Sequence, residues 1–189
     1  VAYNSNPFLN TSVPTPATNQ LIGYWKFDGN LTDRSQTGAN GTMAGLSATE
    51  TYVASKASAF GQAIDLNEPN QQYVAIDTVP ENTFDAVGGN LTISAWFRWE
   101  GWTSDWQALI SKGDDQADYR IARRGGSNYM SCVLGNWTGG GGNDLPINDT
   151  GPHNTNPNIA NSNWHHVVLV NNASGPSQFW VDGTLVQEV

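Results

Sequence analysis

The sequence predicts an all-β protein built as a two-sheet antiparallel β-sandwich, and three stretches carry that prediction. In residues 90–99, Leu91, Ile93, Ala95 and Phe97 alternate with Thr92, Ser94, Trp96 and Arg98, the period of two that gives a pleated strand two differently used faces. Residues 163–170 answer with a second long strand, in which Asn163, Trp164, His165 and His166 lead into Val167, Val168, Leu169 and Val170. Last, Asp182 and Gly183 stand between Phe179, Trp180, Val181 and Thr184, Leu185, Val186, a dipeptide suited to the positive φ angles of a type I′ hairpin.

The remaining elements follow in chain order. Pro7, Pro14 and Pro16 deny residues 1–20 both helix and central strand, so this stretch is expected as an extended N-terminal arm or linker. Regular structure is expected to begin over residues 21–27, before the turn formed by Asp28, Gly29 and Asn30. Further strands are expected at 63–66, 73–76, 91–99, 108–112, 119–122, 129–134, 164–171, 178–181 and 184–189. No segment between them carries an apolar stripe at helical spacing over two turns. Arg124, Gly125, Gly126 and Ser127 are expected to close a hairpin between the strands around Ile121 and Met130. Residues 135–162, with glycine at 139–142 and repeated Asn, Asp and Pro, read as a long loop of the kind that is usually functional or disordered.

Composition limits the function. At 189 residues the chain is long enough for one full-sized sandwich core. Seventeen acidic against eight basic residues give a net charge of −9, which argues against nucleic acid and anionic membrane surfaces as partners. No apolar run reaches the roughly 18 residues of a membrane span, so no membrane insertion is expected. Cys132 is the sole cysteine, which rules out an internal disulfide and reads as a small buried hydrophobe. The start at Val1 and the seven sequons, at Asn10, Asn30, Asn40, Asn90, Asn136, Asn148 and Asn172, fit a processed chain placed outside the cell or on its surface.

Six stretches then carry a family likeness. Residues 23–33, from Gly23, Tyr24, Trp25 and Lys26 to Asp33, are followed by Gly61, Gln62, Ala63, Ile64, Asp65 and Leu66 and by residues 91–97. Leu109 to Gly113, Asn163 to Val168 and Phe179 to Gly183 complete the set in the same order. From about Leu21 to the end, the sequence resembles the laminin G-like domains of the concanavalin A-like lectin/glucanase superfamily. The resemblance implies a jelly-roll sandwich with one concave sheet, which often binds carbohydrate or protein, and a structural calcium. It also implies strands beyond the hairpin at Asp182 and Gly183, so that the domain over residues 21–189 is expected to lack its last strands. Either the chain is cut there or the sheet is completed by something else, for which the arm at 1–20, from the same chain or a neighbouring copy, is one candidate.

The candidate sites sort by chemistry. Retaining glycoside hydrolysis needs two carboxylates about 5–5.5 Å apart. No such pair stands at alternate positions of one strand, since Asp65 and Glu68 straddle a strand end and Glu100 and Asp105 lie in a loop. Hence no catalytic residue is assigned and no enzyme is expected. Adjacent His165 and His166 face opposite ways on a strand and cannot chelate one ion, so one is expected beneath the sheet and the other near the surface. Asp28, Asn30 and Asp33 place three oxygen-bearing side chains on one turn, a set suited to calcium, although Asx turns need no metal. Asp114, Asp115 and Asp118 form a second acidic group, read as a solvated loop.

Eight tryptophans exceed what one core needs. Trp25, Trp96, Trp164 and Trp180 lie in strands, where core or sheet-face packing accounts for them. Trp99, Trp102, Asp105 and Trp106 lie in a polar turn, and Trp137 in the Gly-rich loop, and these five are the candidate sugar-binding residues. The expected function is a non-catalytic secreted or cell-surface module that binds polysaccharide or glycan and holds a structural calcium. The alternative is a structural or adhesive surface subunit that joins other copies of itself by strand exchange through the arm, as a filament or surface layer.

Overall fold

Short runs rich in β-branched and aromatic residues pair as antiparallel strands throughout the chain. The computed structural model describes residues 21–86, 90–101, 103–113, 118–134 and 157–188. The expected arm at 1–20 and most of the long loop fall outside them. The chain divides into two compact units between Phe84 and Asp85.

In the first unit, β1 (Thr42–Ala44) pairs with β4 (Tyr73–Ala75), and β2 (Thr51–Ala54) pairs with β3 (Gln62–Asp65). Residues 21–27, expected as a strand, contribute a single bridge from Trp25 to Asp33. Among the described residues of this unit, Leu31, Ala39 and Met43 are the buried hydrophobic side chains. Trp25 donates its indole N–H to the Ala39 carbonyl at 2.8 Å and meets Phe84 at 5.9 Å between ring centroids. Gly61 turns the chain into β3 at φ 73°, and a Cβ there would lie 2.2 Å from an Asp28 carboxylate oxygen, so no other residue fits without displacing that turn.

The second unit holds two sheets. One has the order β11-β10-β9-β5, built from β5 (Leu91–Arg98), β9 (Trp164–Asn171), β10 (Gln178–Val181) and β11 (Thr184–Glu188). The other has the order β6-β7-β8, from β6 (Ala108–Lys112), β7 (Tyr119–Arg123) and β8 (Met130–Leu134). Their inward side chains share one core, in which Val167, Leu169, Phe179 and Val181 of the first sheet join Ile121, Met130 and Cys132 of the second. The predicted sandwich is therefore present, and Cys132 is buried in it as expected. Its edge is tied by Lys112, which pairs with Asp85 and, at 3.2 Å, with the buried Asp118. Asp118 also accepts the Ala86 amide at 2.8 Å, so it is a fixed member of the fold; Asp114 and Asp115 lie outside the described residues.

Two turns form as predicted. Asp182 at φ 50° and Gly183 at φ 76° close the β10–β11 hairpin. The turn after Arg123 joins β7 to β8, with the Ser127 amide donating to the Arg124 carbonyl at 3.0 Å.

Candidate functional site

The period of two sets the outer face of the four-stranded sheet. Ile93, Ala95 and Phe97 pack against the core, which turns Ser94, Trp96 and Arg98 outward. Along β9 the buried His165, Val167 and Leu169 alternate with Trp164, His166 and Val168, and on β10 the buried Phe179 and Val181 flank Trp180. Pairing then places His166 opposite Trp96, Trp164 opposite Arg98, and both Ser94 and Trp180 opposite Val168.

These neighbours interact. Trp96 is 46% exposed and its ring stacks on the His166 imidazole, with centroids 4.7 Å apart and planes 20° from parallel. Ser94 Oγ and His166 Nε2 share a hydrogen bond of 2.8 Å, which fixes the imidazole plane beneath the indole. The Arg98 guanidinium lies over Trp164 at 5.6 Å and pairs with Glu100. The Trp180 indole N–H is held by Gln178 at 3.2 Å. The result is an aromatic surface with hydroxyl, amide and imidazole groups at its margins.

Behind it, His165 is the buried histidine of the pair, as expected. Its Nδ1 lies 2.6 Å from Asp182 Oδ2 and its Nε2 lies 3.0 Å from Asn161 Oδ1. The other oxygen of Asp182 accepts the His166 backbone N–H at 2.8 Å. One carboxylate thereby fixes the core histidine and the backbone beneath the surface histidine.

The described residues among the sugar-binding candidates predicted from sequence are Trp99, Asp105 and Trp106. Asp105 and Trp106 sit side by side in the loop before β6. Arg123 pins that loop by donating to the carbonyls of Ser104, Gly126 and Ser127. Trp106 is 41% exposed, takes φ 59° and covers the Arg120 guanidinium at 5.4 Å, so half of its surface is already packed. Asp105 is exposed, 3.7 Å from Arg123. Trp99 is half-buried just past the end of β5, and Trp102 and Trp137 lie outside the described residues. Of the four strand tryptophans, Trp25 packs inside the first unit, Trp164 and Trp180 are half-buried on the sheet, and Trp96 stands open on the sheet face. The alternation placed it opposite Phe97, but which face meets solvent, and that His166 is its partner, depend on a pairing across about seventy residues.

Asp28, Asn30 and Asp33 do not fit a calcium ion as they stand. Calcium takes six to eight oxygens, whereas the side-chain oxygens of this turn are engaged by backbone amides, by the Ser35 hydroxyl and, for Asp28 Oδ2, by the Lys26 ammonium at 3.8 Å. Asp33 accepts the amides of Tyr24 and Ser35 on one oxygen and the Ala39 amide and Ser35 hydroxyl on the other, all at 2.7–2.9 Å. Asp28 accepts the Gln62 amide at 3.0 Å, and Asn30 accepts the Thr32 amide at 3.1 Å as an Asx turn. Among the described residues no three His, Cys, Asp or Glu side chains converge as a cation site. Burial pushes the Asp33 pKa up, but the hydrogen bonds from Ser35, Tyr24 and Ala39 outweigh it and hold the carboxyl below its usual 3.8.

A depressed pKa in the folded state means that Asp33 stabilises the first unit fully above pH 4 and that this contribution fades as pH falls through the folded value. Asp33→Asn, which turns an amide NH2 toward backbone donors, is expected to cost about 2 kcal/mol at pH 7 and to flatten the acid limb of stability. Urea midpoints at pH 3 and pH 7, with and without EDTA, check this; a loss of stability on chelation alone would restore the metal.

The comparisons with known proteins fit this architecture. Residues 68–189 match the laminin G family model of the concanavalin A-like lectin/glucanases superfamily, which is well over half of the chain. The chain belongs to that superfamily. No curated protein matches this laminin G-like chain significantly. Among solved structures, the binding domain of botulinum neurotoxin DC in complex with rat synaptotagmin II is 17% identical, with a TM-score of 0.53 over 90% of this chain and 39% of that one. The binding domain of Paraclostridial Mosquitocidal Protein 1 is 14% identical, with a TM-score of 0.54 over 84% and 37%. A botulinum neurotoxin type C structure, from work on cell entry through two ganglioside molecules, is 17% identical, with a TM-score of 0.53 over 89% and 38%. At such identities the likeness establishes the fold, and this laminin G-like chain spans under two fifths of each of those chains.

Proposed function

We propose that this chain is a non-catalytic glycan-recognition module acting outside the cell or at its surface, and that the outer face of the β11-β10-β9-β5 sheet is its sugar-binding surface. One observation carries the reading: Trp96 presents a half-exposed ring, held from behind by His166, with the Ser94 hydroxyl at its edge. Sugars offer apolar C–H faces that lie against aromatic rings and hydroxyls that need donors and acceptors, and this face supplies both. A ring already fixed by stacking loses little freedom on binding, which favours affinity.

The outward positions of β5, β9 and β10 carry no Asp or Glu, and the carboxylates at the margin of the face are Glu188 of β11, bonded to Gln178, and Glu100, paired with Arg98. Asp105 and Trp106, beside the β7–β8 turn, are a second and smaller contact region in this reading. The binding domains among the structural neighbours support a binding role in general terms.

Trp96→Ala is expected to weaken binding to immobilised polysaccharide by at least about tenfold, as removal of a central aromatic anchor does, while leaving thermal stability within about 0.5 kcal/mol. Trp106→Ala is the comparison, with a smaller effect. Affinity electrophoresis across plant, fungal and bacterial polysaccharides measures both, and equal retention of Trp96→Ala and wild type would remove the sheet face as the site.

A further inference from the structure

The aromatic groups of the sheet face form a row, and its length and charge identify a class of ligand. We infer that the surface takes a neutral, extended polysaccharide chain of at least three consecutive sugars, laid obliquely across β9 and β10, in preference to a terminal or acidic sugar. This rests on the proposed glycan-binding role of the face and adds what the face selects.

The register gives the row. Trp164 and His166 are two residues apart on β9, and Trp180 stands on β10 opposite Val168, two residues further in the same direction. With strands about 4.8 Å apart and residues advancing about 3.4 Å, Trp164 and Trp180 stand roughly 14 Å apart, with the His166 position between them. Trp96, stacked on His166 from β5, broadens the middle of the row. A pyranose ring spans about one strand-to-strand step of roughly 5 Å, so one sugar touches one station of the row and three are needed to reach both ends.

Charge selects neutrality. Arg98 is the one Lys or Arg at the outward positions of β5, β9 and β10, and its guanidinium is engaged by Glu100 and by the Trp164 ring. An acidic sugar would meet no guanidinium fork ready for its carboxylate, and the chain's net charge of −9 opposes its approach.

Calorimetry with the full chain at pH 7.5 tests the inference, using mono-, di-, tri- and hexasaccharides of the β-1,4-glucan, β-1,4-xylan and β-1,4-mannan series beside 3′-sialyllactose and oligogalacturonate. Expected is a neutral series in which affinity rises at least tenfold from disaccharide to hexasaccharide, with little change between 50 and 500 mM salt. Trp180→Ala is expected to remove that length dependence while the disaccharide still binds, and a circular dichroism spectrum matching wild type shows that the variant is folded. Equal affinity for monosaccharide and hexasaccharide, or tighter binding of the acidic sugars, overturns the inference and leaves the glycan-binding reading standing. No binding of any of these sugars, together with no retention on any polysaccharide, overturns both.

Discussion

Phe179→Ala is expected to destabilise the second unit by about 3–5 kcal/mol, the range for removing a fully buried aromatic side chain. The reason is its position. Phe179 is 0% exposed on β10, a central strand of the sheet β11-β10-β9-β5, and it points into the core shared with Ile121, Met130 and Cys132 of the facing sheet. Alanine would leave a cavity bordered by two sheets that hydrogen bonding holds in register, so collapse around it is restricted. Domains are typically stable by about 5–15 kcal/mol, and this one loss therefore removes a large share of the margin. Urea denaturation followed by tryptophan fluorescence should show a lower midpoint at an unchanged slope. Phe179→Leu, which keeps most of the volume, is expected to lose under about half as much. A midpoint shift for the alanine variant equivalent to less than 1 kcal/mol would mean that the two sheets do not share this core.

The sandwich was legible in the sequence where strands are long. Residues 91–98 and 164–171 alternate over eight positions, and a one-residue slip would turn every core side chain outward, so pattern and register reinforce each other. Thr42–Ala44 and Thr51–Ala54 were not legible, because Thr and Ala fill four of their seven positions and Met43 alone among the seven is buried. The aromatic surface was half legible. Alternation separates Trp96 from Phe97, but the apolar character of tryptophan reads equally as core, and the stacking partner lies seventy positions away. The turn at Asp28, Asn30 and Asp33 was legible only in part, for a different reason. Oxygen spacing is visible in a sequence, whereas the four backbone and hydroxyl donors that occupy Asp33 come from the folded chain.

Asp182→Ala is expected to reduce stability by about 3 kcal/mol and polysaccharide binding as well, because this side chain links the turn, the core and the surface. Three losses combine. Asp182 holds the positive φ of a type I′ turn, which alanine adopts at a penalty of roughly 1 kcal/mol. The buried His165 loses the partner of its Nδ1, and an orphaned buried polar group costs about 1–3 kcal/mol. The His166 backbone N–H loses its acceptor as well. That last bond matters for function, since His166 supports the exposed ring of Trp96. Asp182→Asn keeps the turn preference and an acceptor oxygen, and it is expected to retain most of the binding while losing one carboxylate oxygen of the pair shared between His165 and the His166 amide. The decisive measurement is binding well below the unfolding midpoint, where both variants are folded. If Asp182→Ala then binds polysaccharide as wild type does, the imidazole beneath Trp96 is held without Asp182, and the carboxylate serves the fold without reaching the surface.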